Sequence, residues 1–262
     1  MVTRRRTAVV TGSTRGIGRV IAERLIADGY RCVTTGRGHA AEAVADTDFH
    51  RVDFEDAASV TAFAAELRDL RPDILVNNAG INIPGAVDAY SVHDFDRLYA
   101  VNLRSPFLLC QAVMPSMKAR SWGRIVNITS LRSRIGRAGD APFCATKFGL
   151  DGLTAALGAE GAPCNVLANA VAPGYISTES IGKAFSNTDL KGIAHKIPAG
   201  RLGTMAEVAA LVAWLVSEEN TYMAGQSLVI DGGLTRADTE RWFTLDDRSQ
   251  SIPGAGVVKG SR

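Results

Sequence analysis

Short apolar runs alternate with longer segments of helical period along nearly the whole chain, and few architectures accept that pattern. The runs are Thr7 to Thr11, Cys32 to Thr35, Phe49 to Val52, Ile74 to Val76, Arg124 to Ile128, Val166 to Val171 and Ser227 to Ile230. Between them lie Gly16 to Asp28, Ala57 to Leu70, Asp94 to Arg120, Pro142 to Glu160 and Ala206 to Val216. In the first helical segment Ile17, Val20, Ile21, Leu25 and Ile26 share one face, and Gly29 ends it. A strand that is apolar on both faces must be covered on both, and strand–helix alternation supplies the covering helices through parallel crossovers. The expected fold is therefore α/β, a single-domain doubly wound parallel sheet of Rossmann type with helices on both faces. Pro106 and Pro115 fall inside the long third helix and are expected to bend it. Pro142 suits the first turn of the fourth.

The 262 residues suit one such domain with a sizeable core; at this length roughly 70–75% of the unfolded surface leaves water. A net charge of +2 gives no reason to expect a nucleic-acid partner. No apolar run approaches the ~20 residues of a membrane span. The basic run Arg4-Arg5-Arg6 leads straight into the first strand, reads as solvated, and does not make a signal peptide. Cys32, Cys110, Cys144 and Cys164 are scattered through apolar stretches and read as buried reduced thiols, which fits the cytoplasm. His39, His50, His93 and His195 share no ligand spacing, so no metal is expected.

The first strand runs into Thr11-Gly12-Ser13-Thr14-Arg15-Gly16-Ile17-Gly18, which opens the first helix. Glycines let the backbone approach a pyrophosphate, and a helix N-terminus favours its charge. The second strand ends Thr34-Thr35-Gly36-Arg37, with no acid to hold a ribose 2′-hydroxyl. Arg37 and Arg15 suit a 2′-phosphate instead, so the expected cofactor is NADP(H).

The spacing T-G-x-x-x-G-x-G resembles that of the short-chain dehydrogenase/reductase family, in particular its 3-oxoacyl-ACP-reductase-like ketoreductases. Later motifs agree. Asn77-Asn78-Ala79-Gly80 resembles the family's N-N-A-G after strand four, Pro173-Gly174 with Ile176 and Thr178 its loop after strand six, and Asp231-Gly232-Gly233 its closing D-G-G. The likeness spans roughly residues 5–235. It implies a hydride-transfer enzyme that interconverts a small-molecule ketone and a secondary alcohol. It places Asp53 beside the adenine and Asn102, Ser130 and Lys147 at the catalytic positions. It makes Glu179 to Leu202 a substrate lid and implies a homo-oligomer, tetramer or dimer, built through the two long helices.

Phe143 breaks the pattern. Where the family carries Y-x-x-x-K, this chain reads Phe143-Cys144-Ala145-Thr146-Lys147. In the family the tyrosine hydroxyl protonates the carbonyl oxygen. The lysine one turn later tunes that hydroxyl and holds the nicotinamide ribose, the serine holds the substrate oxygen, and the asparagine supports a water relay. Phe143 keeps the ring and loses the proton, and losing a general acid costs about 10²–10⁴-fold in rate. Three readings stand open: an active-site variant of an active reductase, a natural reductase of an imine or enone or with another donor (Tyr175, Asp140 or Cys144), or a non-catalytic NADP(H)-binding protein.

Arg132 and Arg134 flank Ser130 and are read either as recognising an anionic substrate group or as solvated. His195, in the lid, is expected at the surface. Residues 1–235 are taken as the catalytic domain and 236–262 as an extension, whose Trp242, Phe243 and Leu245 are expected to dock on a neighbouring subunit or over the substrate pocket.

Overall fold

A computed structural model describes residues 4–39 and 44–236; Trp242, Phe243 and Leu245, with the docking expected of them, lie outside the described residues. Seven strands form one parallel sheet in the order β3-β2-β1-β4-β5-β6-β7. They are β1 (Thr7–Val10), β2 (Arg31–Gly36), β3 (Asp48–Arg51), β4 (Ile74–Asn77), β5 (Gly123–Ile128), β6 (Val166–Pro173) and β7 (Ser227–Ile230). The helices are α1 (Gly16–Ala27), α2 (Ala57–Leu70), α3 (Val92–Tyr99), α4 (Ser105–Ala119), α5 (Ala141–Gly161), α6 (Glu179–Ala184), α7 (Asn187–Lys196) and α8 (Met205–Val216).

Alternation along each strand feeds two cores. Val9, Leu75 and Ile125 point into the layer with α2 and α4, where Val60, Leu67, Leu109 and Val113 are fully buried. Ala8, Val10, Ile74 and Val76 point the other way, against Ile21 and Leu25 of α1 and Val208 and Val212 of α8. Strand order reverses between β1 and β4. Such a reversal opens a crevice at the carboxyl ends of the strands, where ligands of open α/β sheets bind.

The long third helix is not continuous. A π turn over Ala100–Arg104 separates α3 from α4, and the Ser105 backbone N–H reaches back to the Ala100 carbonyl. The Ser105 hydroxyl donates to the same oxygen at 2.7 Å. Pro106 lacks the N–H that the Asn102 carbonyl would accept in a regular helix, so the chain widens just before it. Pro115 is carried inside α4.

The arginine lead-in is exposed at Arg4 and Arg5 and half-buried at Arg6, and each has a partner: Arg4 pairs with Asp73 at 2.8 Å, Arg5 donates to the Gly29 carbonyl, and Arg6 pairs with Glu218 and stacks on Trp122. Cys32 and Cys110 are buried, whereas Cys144 and Cys164 are only half-buried. Among the described residues no helix is long and apolar enough to cross a membrane.

Candidate active site

The crevice holds a cleft of about 510 Å³. Its floor is the turn between β1 and α1. Gly12 adopts φ +62°, and a Cβ there would lie 2.9 Å from the Ala79 Cα, so only glycine lets the two loops meet. Asn78 ties them together, donating through Nδ2 to the carbonyls of Thr11 at 2.9 Å and Gly12 at 3.1 Å. Thr11 Oγ1 accepts from the backbone N–H groups of Asn78 and Ala79, both at 3.0 Å. A Cβ on Gly18 would sit 2.3 Å from Asn78 Nδ2, so the start of α1 is pressed onto the same knot.

α1 begins without a side-chain cap at Arg15 and without an acid in its first turn. Its leading N–H groups therefore keep their donor capacity and positive end for a ligand. Gly12, Thr14, Arg15, Gly16, Ile17 and Gly18 all line the cleft. So do Arg37 and Asp53 at the strand ends, Asn78, Ala79 and Gly80 after β4, and Thr178 just before α6. This donor set fits a dinucleotide phosphate.

Other predicted positions fall elsewhere. Ser13 is fully buried; its N–H donates to the Thr35 carbonyl at 2.9 Å and its hydroxyl to the Val10 carbonyl at 2.8 Å. It builds the turn and has no donor left for a ligand. Ile176 packs into the core beside α8, Pro173 ends β6 inside the protein, and Gly174 abuts the Asp231 Cβ. None of the three lines the cleft. Gly36, Glu55, Ile81 and Ser180 line it and were not anticipated. Glu55 matters most, because it pairs with Arg37 at 3.1 Å and with Arg97 at 2.7 Å. Arg97 holds its carboxyl below the usual range. Arg37 stays 59% exposed, so its pair is weak and exchangeable.

Beyond the cleft lie the residues that the resemblance places at the catalytic positions. Asn102 sits in the π turn, fully buried. Its Oδ1 accepts from the Ile81 N–H at 2.9 Å. Its Nδ2 donates to the Ile81 carbonyl at 2.9 Å and to Thr146 Oγ1 at 3.2 Å. Lys147 is buried in α5 and donates to the Ile128 carbonyl at 2.9 Å. Burial pushes its pKa down to about 8, with Asp151 opposing. Both face Gly80, where an added methyl would lie 3.3 Å from Asn102 Oδ1 and 3.6 Å from Lys147 Nζ.

Ser130 follows β5, half-buried, with Oγ accepting from the Arg132 N–H at 3.1 Å. Phe143 lies one helical turn before Lys147, its ring centroid 5.7 Å from Nζ. The corner has a serine, a cation and an apolar ring.

Arg132 is not the solvated loop charge of the second reading. It is only 8% exposed. Its Nε lies 3.4 Å from Asp140, itself buried, and its NH2 donates to the Tyr175 hydroxyl at 3.1 Å. Arg134 pairs with Asp151 at 3.3 Å. The segment from Glu179 to Leu202, expected to be a lid, carries two helices, α6 capped by Thr178 and α7 by a Ser186–Asp189 capping box. His195 is exposed on α7.

Residues 12–235 match the family model described as Enoyl-(Acyl carrier protein) reductase. The chain is 39% identical over 239 residues to a 3-oxoacyl-[acyl-carrier-protein] reductase of Aquifex aeolicus, covering 87% of this chain and 96% of that one. It is 36% identical over 240 residues to an acetoacetyl-CoA reductase of an Acinetobacter species, with the same coverage. Its fold matches a gluconate 5-dehydrogenase of Burkholderia cenocepacia, solved in complex with NADP and tartrate, with a TM-score of 0.82 and 34% identity over 89% of this chain and 96% of that one. The chain belongs to the short-chain dehydrogenase/reductase family, as a 3-oxoacyl-acyl-carrier-protein-reductase-like member.

Proposed function

We propose that this protein is an NADP(H)-dependent reductase that converts a ketone, of the 3-oxoacyl thioester class, to a secondary alcohol. The observation that carries the reading is the convergence of Asn102 and Lys147 on Gly80, at the inner end of a cleft whose outer end offers two guanidiniums. The α1 N-terminus and the loop from Gly12 to Gly18 would hold the pyrophosphate. Arg15 and Arg37 would hold the 2′-phosphate, Arg37 leaving Glu55 to do so. Asp53 would face the adenine. Lys147, with its cationic head near Gly80, would hold the nicotinamide ribose, and Thr178 would close over the cofactor from the lid.

Bound there, the reduced nicotinamide supplies the hydride. Ser130 donates to the substrate oxygen. Asn102, already clasped to Ile81, fixes the loop that backs the site. Phe143 fills the space of the family's tyrosine with a ring that carries no exchangeable proton, so turnover is slower than with tyrosine there.

The family model's description favours a second reading, in which the reduced bond is a conjugated C=C. An enone takes its proton at carbon and has less need of an acid at the carbonyl oxygen. Comparing NADPH and NADH oxidation with acetoacetyl-CoA and crotonyl-CoA separates the two. Oxidation of NADPH by acetoacetyl-CoA alone supports the ketone reading. Turnover of crotonyl-CoA alone replaces it, and tighter binding of NADH than NADPH removes the cofactor assignment.

Self-association is part of the proposal: Phe107 on α4 and Phe148 on α5 leave 46% and 48% of their surface exposed. A mass above that of one chain in light scattering is the expected result.

A further inference from the structure

With Phe143 in place, the carbonyl oxygen needs a proton from somewhere else. Five tyrosines are present, and four are unsuited. The Tyr90 hydroxyl is committed to the Ile83 carbonyl at 2.6 Å. Tyr30 lies just before β2, at the opposite edge of the sheet, among Arg6, Asp28 and Glu218. Tyr99 is 46% exposed on α3 and Tyr222 is 98% exposed. Tyr175 differs. It follows β6 at the same edge as Ser130, is half-buried, and accepts from the Arg132 guanidinium at 3.1 Å.

Of the other candidate donors, Asp140 faces the guanidiniums of Arg132 and Arg137 at 3.4 and 3.6 Å and accepts from the Asn82 amide at 3.4 Å, a setting that suits an acceptor. Cys144, half-buried, sits about 100° round α5 from Phe143, away from the direction in which the family's hydroxyl would stand.

We propose that Tyr175 supplies the proton that Phe143 cannot, with Arg132 as the cation that holds it. The proposal rests on the ketone-reductase reading above. Arg132 bridges the two oxygens that matter: its backbone N–H binds Ser130 Oγ at 3.1 Å while its guanidinium binds the Tyr175 hydroxyl. Tyr175 cannot drift, because its carbonyl accepts from the Gly203 N–H at 2.9 Å and its ring meets Phe185 of the lid edge-on at 6.4 Å. A buried Arg–Asp pair is costly to assemble and is weak evidence for stability. Here Arg132 and Arg137 give two positive charges against the single carboxylate of Asp140.

The step balances. The carbonyl carbon gains the hydride and its electron pair from the reduced nicotinamide, and the C=O π pair moves to oxygen. That oxygen takes the Tyr175 proton as the phenolic O–H breaks. The phenolate beside Arg132 regains a proton from water.

The test uses four full-length forms: the chain itself, Tyr175→Phe, Phe143→Tyr, and the double variant. Each is assayed for acetoacetyl-CoA-dependent NADPH oxidation and, separately, for NADPH affinity by fluorescence. Tyr175→Phe is expected to lower kcat by about 10²-fold in the Phe143 chain, leaving KM and NADPH affinity within about threefold. In the Phe143→Tyr background the same change should alter kcat by less than about threefold, because the family's donor is restored. An unchanged kcat in Tyr175→Phe overturns the proposal, as does an equal loss in both backgrounds. Activity only where residue 143 is tyrosine overturns it while the reductase reading stands. Silence of all four forms on acetoacetyl-CoA removes that reading and the Tyr175 proposal with it.

Discussion

The two halves of the crevice are built to different rules. At the outer half, backbone does the work: Gly12 against Ala79, an uncapped helix start, and Asn78 stitching two loops together. At the inner half, side chains do it, and one of them, Phe143, has no polar atom to contribute. A backbone-built site tolerates exchange of most side chains, whereas a side-chain-built site turns on single atoms. On the proposed assignment, and with Lys147 as the one residue that serves both, a substitution in one half should leave the other measurable.

The largest expected effect breaks the contrast from the chemical side. Phe143→Tyr should raise kcat for acetoacetyl-CoA reduction by about 10²-fold, within the range a general acid supplies, and leave NADPH affinity unchanged. Stopped-flow NADPH oxidation and fluorescence titration read the two quantities separately. A parallel change in affinity would show the halves to be coupled.

From the binding side, Gly18→Ala should cost about 1–3 kcal/mol in urea unfolding, since its Cβ would meet Asn78 Nδ2 at 2.3 Å and the Gly12 carbonyl at 2.5 Å. The same knot shapes the phosphate turn, so NADPH affinity should fall as well. Full stability together with full affinity would mean that the knot can open freely.

Lys147→Met sharpens the comparison on its inner side. A fall in pKa from 10.5 to about 8 corresponds to about 3 kcal/mol of penalty on the charged form at neutral pH. The hydrogen bond to Ile128 offsets roughly 1 kcal/mol of that. The variant should therefore be more stable than the parent by about 1–2 kcal/mol near pH 7, while binding NADPH less well. With the folded pKa depressed, the unfolded chain binds the extra proton between about pH 8 and 10.5, so the parent gains stability as pH rises through that window. The gap should close over the same range, which chemical unfolding at several pH values would follow. A gap that widens instead would reverse the assignment.

The smallest effect is at the rim. Arg37→Ala should weaken NADPH binding by about fivefold relative to NADH, roughly 1 kcal/mol, because an exposed guanidinium that also serves Glu55 gives little net energy. Equal losses for both nucleotides would place Arg37 away from the 2′-phosphate.

Much of this was legible in the chain itself. Buried strands wrote themselves as apolar runs, and the alternation with helices left one sheet architecture. The phosphate turn was legible because glycine spacing reports backbone geometry directly. What stayed hidden depends on partners distant in sequence. Ser13 reads as a ligand contact until Thr35 and Val10 are seen to use its N–H and hydroxyl. Arg132 reads as a solvated loop charge until Asp140 and Tyr175 enclose it. Glu55 gave no signal, since its role rests on Arg97, 42 positions away. Pro106 announced a disturbance in the third helix without saying whether the chain would kink or widen.

That widening carries a consequence of its own. Asn102 meets Ile81 through an acceptor and a donor together, so its carboxamide imitates a neighbouring strand for a loop that has none. Its aim depends on one surplus residue in the turn from Ala100 to Arg104. Removing Ala100 or Val101 would restore an even helix and swing Asn102 by about 100° relative to α3, with almost no change in composition or hydrophobicity. The inner corner is thus written partly as a count, and a deletion that looks harmless in an alignment would silence it as surely as the loss of a catalytic side chain.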